Sequence, residues 1–300
     1  MGRGTFVTGG GGFAGRHLLE RLEREGRAAA APRHAELDLR DAAATRAAVA
    51  AAEPGVVYHL AAEASVSRSW EAPAEVLLAN TEMTVNVLEA VRLEAPDAVV
   101  VLTGSGEIYG PPPSLPVEED APLRPQNPYA VSKAACDLIC GQYADAHGMR
   151  VVRLRAFNHA GPGQSDEYVV GTLTRQVAEA EAAGSDTAVL RVGNTQSRRD
   201  FTDVRDVVRA YVAAAELPAG AYNVCSGTSV SVERLIELIR EAATIEVRHE
   251  TDPARVRARE VEDVRGSAAR LHSLTGWMPE IPLQRMVADA LGEWRAGLAS

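Results

Sequence analysis

Tyr129 and Lys133 stand four residues apart, and Lys133 is the sole lysine in a chain that carries 31 Lys and Arg together. On a helix that spacing places both side chains on one face. Asn127 and Pro128 read as an N-cap and a first helical residue, so a helix is predicted to begin there. A free phenol ionises at about pH 10 and exchanges protons poorly at neutrality, whereas a neighbouring ammonium favours the phenolate and lowers that value. The pair is therefore expected to act as a general acid or base. Everywhere else the chain uses Arg for its cations, which marks position 133 as one where a compact ammonium matters and a planar guanidinium does not serve.

Ser105 lies in Thr103-Gly104-Ser105-Gly106-Glu107, just past a predicted strand, where open α/β sheets place their ligands. Its hydroxyl is suited to orienting a carbonyl or hydroxyl of a substrate. Glu107 has two readings that the sequence leaves open: a second proton-transfer group, or a loop carboxylate that binds backbone amides. Nearer the start, Gly9, Gly12 and Gly15 follow a predicted strand and open a predicted helix. Glycines so spaced let the backbone turn sharply and approach a pyrophosphate, with Phe13, Ala14 and Gly15 presenting the first N–H groups of the helix. This predicts dinucleotide binding. The end of the second strand reads Ala31-Pro32-Arg33-His34, with Arg33 where an NAD site keeps an acid, so NADP(H) is favoured and NAD(H) remains open. In the next run, Asp38 and Leu39 are placed at the adenine edge.

The elements that must carry these groups follow from periodicity. Short apolar runs at 5–8, 27–31, 56–61, 98–103 and 151–156 alternate with segments of helical period, the pattern of parallel strands covered on both faces. The first helix is read at 13–25, with Ala14, Leu18 and Leu22 on one stripe and Gly26 ending it. Beyond residue 158 come a loop at 160–163, helices near 170–183, 232–242 and 283–298, and strands near 188–192 and 222–225. The fold class is thus α/β, a Rossmann-type doubly wound parallel sheet with a smaller C-terminal α/β substrate lobe. Residues 1–158 form the dinucleotide-binding domain, to which about 188–225 is expected to return, while 159–187 and 226–300 form the lobe.

Composition sets the outer limits. The net charge is −10, and the Arg-rich stretch from 248 to 270 is interleaved with acids, which argues against a nucleic-acid partner. No apolar run approaches the roughly 18 residues that cross a bilayer, and the first residues have no signal-peptide character, so no membrane association and a cytoplasmic location are expected. Cys136, Cys140 and Cys225 read as reduced core residues, and no His/Cys cluster points to a metal.

With the glycine turn, Ser105, Tyr129 and Lys133 in place, the chain resembles the extended short-chain dehydrogenase/reductases that act on nucleotide sugars, over nearly its whole length. The resemblance implies a nucleotide-sugar substrate, a nicotinamide cofactor and a homodimer. It brings Ala61 and Ala62, after the third strand, and Asn80, on the next helix, into the cofactor site. It assigns Asn158 to the diphosphate of the substrate, Arg199 to a second shared substrate element, and Arg257 and Glu260 to phosphate and ribose. Ala258 and Glu260 depart from the usual Pro and Asp there. The strings Asn158-His159-Ala160-Gly161-Pro162-Gly163-Gln164 and Arg199-Asp200-Phe201 are most similar to members that reduce the C4 ketone of GDP-4-keto-6-deoxy-mannose, giving GDP-rhamnose. Glu107 stands where 4,6-dehydratases keep a catalytic Glu, which leaves a dehydratase or 4-epimerase as the alternative. A non-catalytic dinucleotide-sensing protein on the same fold is the third reading, and it has no need of Ser105, Tyr129 and Lys133 together.

Overall fold

Val99–Thr103 contains no charged residue and is buried along its whole length, as a strand must be when helices cover both faces of its sheet. The computed structural model describes residues 4–255 and 261–299, so the expectations for Arg257 and Glu260 lie outside the described residues. The first half runs β1 (Gly4–Thr8), α1 (Phe13–Arg24), β2 (Ala29–Ala30), α2 (Ala42–Ala52), β3 (Pro54–His59), α3 (Val66–Glu71), α4 (Pro73–Glu94), β4 (Val99–Thr103), α5 (Pro128–His147) and β5 (Val151–Ala156). There follow β6 (Asn158–Ala160), α6 (Val169–Ala182), β7 (Thr187–Val192), β8 (Arg198–Asp203), α7 (Val204–Ala214) and β9 (Gly220–Val224). The chain ends with β10 (Ser229–Ser231), α8 (Val232–Ala242), β11 (Glu246–Thr251), β12 (Asp263–Val264), α9 (Ala269–Thr275) and α10 (Leu283–Ala299).

Six parallel strands form the main sheet in the order β2-β1-β3-β4-β5-β9, a Rossmann-type arrangement. The chain runs from β1 to β2 on one side and then crosses through α2 to β3 on the other side of β1, so the crevice at the carboxyl ends of β1 and β3 is the topological switch point where such sheets bind ligands. Each sheet face has its own core. On one, Leu18 and Leu22 of α1 pack with Val207 and Tyr211 of α7; on the other, Val87 and Val91 of α4 pack with Cys136 and Cys140 of α5. Burying each such aliphatic side chain stabilises the fold by about 1.5–3 kcal/mol. The three cysteines are free and buried.

Three expectations need adjustment. The second strand shrinks from 27–31 to two residues, because it lies at the sheet edge and Pro32 has no N–H with which to continue a ladder. The strand near 188–192 does not join the main sheet: β7 pairs in parallel with β11, and its burial alternates residue by residue, as befits a strand with one exposed face. The return to the first domain is made instead by α7 and β9, and again by Leu271 and Trp277, which pack in the core beside α7. A third core unites α6, α8 and α10 with β7, while β8 pairs with β6, β10 and β12.

Candidate active site

The glycine turn forms a cradle that side chains would fill. Gly9 has φ +71°, and a Cβ there would lie 2.6 Å from the Ala61 nitrogen; at Gly15 it would lie 2.1 Å from the Gly9 carbonyl oxygen. Only glycine permits this closeness. Gly12 is the N-cap of α1 and offers no side chain to its first N–H groups, and the first turn holds no acid. The positive end of a 12-residue helix is thereby left open beside Phe13, Ala14 and Gly15, at the switch point, which suits a pyrophosphate. Behind it the Ala61 amide donates to Thr8 Oγ1 at 3.3 Å, fixing the loop that carries Ala61 and Ala62. The residues present fit a dinucleotide.

The adenosine end is defined less by open groups than by pairs. Arg33 lies three residues past β2 and is 79% exposed, its guanidinium donating to Glu36 Oε1 at 2.6 Å. Asp38 is held to about pKa 2, chiefly by hydrogen bonds from the Arg40 side chain and backbone. Leu39 is buried in the core, with its carbonyl accepting from Asn86 Nδ2 at 2.9 Å. Of these, Arg33 presents a cation on the surface and Leu39 a piece of the wall.

The catalytic candidates converge from two elements. Asn127 caps α5 through Oδ1, which accepts from the Ala130 amide at 2.8 Å, and Pro128 occupies the first turn, as expected. Ser105 sits at the end of β4 as the N-cap of a short 3-10 turn, Gly106–Tyr109, accepting from the Glu107 amide at 3.2 Å. Its hydroxyl lies near enough to the Tyr129 phenol to favour the phenolate. Burial pushes that phenol above its ordinary value and the Glu107 carboxylate adds to the rise, against a lowering by Ser105. The expectation of a lowered phenol is thus corrected to a net rise, because burial and Glu107 outweigh what lowers it. Lys133, buried, donates from Nζ to the Thr103 carbonyl at 2.7 Å, and burial lowers its own pKa. Tyr129 is a proton donor at neutrality.

Glu107 is exposed and accepts from a side chain rather than from backbone amides, Asn127 Nδ2 at 2.8 Å. Asn80 is buried and engaged on three sides, accepting from the Glu63 amide at 2.7 Å and donating to the Glu63 carbonyl and Ser132 Oγ at 3.1 and 2.9 Å. It fastens the loop after β3 to α5. His59 bridges Thr8 Oγ1 at 2.8 Å and Thr84 Oγ1 at 3.3 Å, and burial, with Lys133 nearby, holds its ring neutral at a pKa of about 3.

In the second half, Asn158 is exposed on β6 and pairs in register with Phe201 of β8. Arg199 donates to the carbonyls of Arg198 and Val261, both at 2.8 Å, and so holds the chain leading into β12. Its neighbour Asp200, which the sequence reading passed over, is a buried knot that accepts from the Ser226 amide and hydroxyl and from the Gly227 and Gly266 amides. Asp137 and Arg155 were also missed. The available signal was an arginine in the buried strand Val-Val-Arg-Leu-Arg-Ala and an acid two helical turns beyond Tyr129. No group of three metal-ligating side chains exists among the described residues.

A glycine cradle at the switch point and a Ser-Tyr-Lys set at the end of β4 define an extended short-chain dehydrogenase/reductase. The family model described as GDP-mannose 4,6 dehydratase matches residues 30–290, and the chain belongs to that family. It is 40% identical over 247 residues to a GDP-6-deoxy-D-mannose reductase from Pseudomonas aeruginosa, covering 81% of each chain. The solved structure of RMD from Pseudomonas aeruginosa complexed with NADPH superposes with a TM-score of 0.91 at 35% identity, covering 98% of this chain and 99% of that one. A Thermus thermophilus UDP-glucose 4-epimerase complexed with NAD is also similar, with a TM-score of 0.84 at 30% identity and coverage of 97% and 98%.

Proposed function

We propose that the protein reduces the C4 ketone of GDP-4-keto-6-deoxy-mannose to give GDP-rhamnose, using NADPH in preference to NADH. The observation that carries this reading is a Ser105, Tyr129 and Lys133 set in a chain 40% identical to a GDP-6-deoxy-D-mannose reductase, while Glu107, the acid a dehydratase would employ, is engaged with Asn127. When bound, the reduced nicotinamide supplies the hydride to the C4 carbon. Ser105 hydrogen-bonds the ketone oxygen, and Tyr129 gives that oxygen its proton. Lys133 then faces a phenolate, and its ammonium, tethered to the Thr103 carbonyl, offsets the charge. Gly9, Gly12, Gly15, Ala14 and Phe13 would hold the pyrophosphate, and Arg33 the 2′-phosphate. Asn158 and Arg199 lie on the paired strands β6 and β8, on the side of the site where the sugar nucleotide is expected.

Supporting a homodimer, Leu78 on α4 and Val131 and Leu138 on α5 are 64%, 42% and 61% exposed on two helices that pack side by side. Trp70 on the adjoining α3 is 63% exposed. Burial of such side chains against a second copy removes apolar surface that a monomer leaves wet. The reading is tested by supplying GDP-4-keto-6-deoxy-mannose with NADPH: nicotinamide loss mole for mole with a GDP-6-deoxyhexose product is expected. Water loss from GDP-mannose with no net change in nicotinamide absorbance would overturn it in favour of a dehydratase.

A further inference from the structure

The two catalytic elements come from different parts of the chain, and one buried side chain touches both supports. Arg155, on β5, donates from Nε and Nη2 to the two carboxylate oxygens of Asp137 at 3.0 and 2.8 Å. Asp137 lies on α5, one turn beyond Lys133 and two beyond Tyr129. From Nη1 the same guanidinium donates to the Tyr109 hydroxyl at 2.9 Å and to the Glu119 carbonyl at 2.7 Å. Tyr109 closes the 3-10 turn that Ser105 opens. Its ring lies under the guanidinium, 5.3 Å from centroid to Cζ, and its hydroxyl donates onward to Asn223 Oδ1 of β9 at 2.7 Å. Asp137 is almost wholly buried and Arg155 is 6% exposed, and Arg153 adds a bond to Asp137 Oδ1 at 3.2 Å, so the guanidinium cannot drift to water without costing a buried bidentate ion pair.

The geometry points to Arg155 as the positioning residue that sets the Ser105 turn against the Tyr129 helix. Its planar fork has fixed directions, one edge on Asp137 and one corner on Tyr109. Beside the Lys133–Thr103 and Glu107–Asn127 bonds at the site itself, this rigid group holds the two catalytic elements together from behind, through the core rather than along the chain from 106 to 128. In its catalytic consequence this inference rests on the reductase reading above.

Replacing Arg155 outright leaves Asp137 with only the 3.2 Å bond from Arg153 in the core and puts the fold itself at stake. Tyr109→Phe cuts the link from Arg155 to the Ser105 turn, together with the bond to Asn223 Oδ1, and keeps the ring and the Asp137 pair, so it is the primary variant, with Arg155→Lys beside it as the change that keeps the charge and loses the fork. Hydrogen exchange of the full-length protein is measured together with kinetics. Tyr109→Phe is expected to speed amide exchange at 105–110 while leaving 137–147 unchanged, and to lower kcat by about ten- to a hundred-fold, as a misplacement of the order of 1 Å does. NADPH affinity and the KM for the keto sugar should stay within about two-fold. The isotope effect with 4-deuterated NADPH should rise as the transfer step becomes limiting, a change that mere loss of folded enzyme cannot produce. Arg155→Lys should show the same pattern. Unchanged exchange at 105–110, or a fall in kcat with no change in isotope effect, overturns the assignment. If the unmodified protein reduces no 4-keto sugar nucleotide, the reductase reading fails while the exchange result still decides whether Arg155 and Tyr109 hold the turn.

Discussion

The Glu107 carboxylate and the Asn127 side-chain amide are joined at 2.8 Å, while the other end of that amide caps α5. An acid that stands one residue pair from Ser105 is thus tied to the start of the helix bearing Tyr129, where it acts on the phenol electrostatically. Ketone reduction needs one hydride and one proton, and neither comes from a carboxylate. Glu107→Gln should leave NADPH oxidation by GDP-4-keto-6-deoxy-mannose within about three-fold of the parent, since a glutamine oxygen still accepts from Asn127. A loss comparable to that of a general acid, measured by initial rates, would place Glu107 in the chemistry.

Tyr129→Phe removes the proton donor, and kcat should fall by about 100- to 10,000-fold. Lys133→Arg should cost nearly as much, because the guanidinium cannot reproduce a compact ammonium bonded to the Thr103 carbonyl. Circular dichroism and melting of both proteins check that the fold survives. Turnover near the parent value in a folded Lys133→Arg protein contradicts the role given to the lysine.

Arg33 is paired with Glu36 on the surface. Water screens such an exposed pair, whereas a phosphate brings more charge and more acceptor oxygens to the guanidinium, so the phosphate wins the exchange. Arg33→Ala should weaken NADPH by about ten-fold or more and hardly affect NADH. Glu36→Gln should tighten NADPH. Fluorescence titration of both cofactors reads the difference, and equal losses for both remove Arg33 from the site.

Glu181, near the end of α6, accepts from Arg295 Nε and Nη2 at 2.6 and 2.7 Å and from Thr244 at 2.8 Å. The hydrogen bonds from Arg295 above all hold its carboxyl down to about 2 from 4.5. The folded value lies below the unfolded one, so its stabilisation is whole above about pH 4.5 and is lost as pH falls toward 2. Glu181→Gln should lower Tm at pH 7, and the gap from the parent should narrow steadily between pH 4.5 and about pH 3. A constant gap across that range refutes the linkage.

Leu138→Arg places a cation on the exposed face of α5. If α4 and α5 form the seam between copies, sedimentation should show a dimer for the parent and a shift to monomer for the variant at equal concentration. A parent that sediments as a monomer sinks this reading.

Tyr129 and Lys133, the glycine turn and the capping of α5 were legible because each depends on spacing within a few residues of one helix or turn. Electrostatics between segments was not. The rise of the Tyr129 phenol comes from burial and from Glu107, twenty-two residues away in sequence, and the pairing of Arg33 with Glu36 depends on how a loop closes. For β7 the clue was present in its alternation, since Ala188, Leu190 and Val192 are buried and Val189 and Arg191 exposed. A strand with one wet face does not belong in the middle of a doubly covered sheet. That Leu271 and Trp277 return to the first core has no local signature, because a buried helix looks alike from either domain.

The seam between α1 and the loop that follows β6 has a thermodynamic consequence. Arg16 donates to the Gly163 carbonyl at 3.0 Å, His17 bonds the Pro162 carbonyl at 2.9 Å, and the Phe13 ring lies parallel to that of His159 with centroids 6.0 Å apart. The first turn of the dinucleotide helix and the entrance to the substrate lobe are therefore one mechanical part. A ligand that settles on either side works against the same contacts, and free energy is a state function. Whatever factor the bound cofactor applies to the affinity for sugar nucleotide, the sugar nucleotide must return to the cofactor, so any coupling this seam carries is the same whichever of the two binds first.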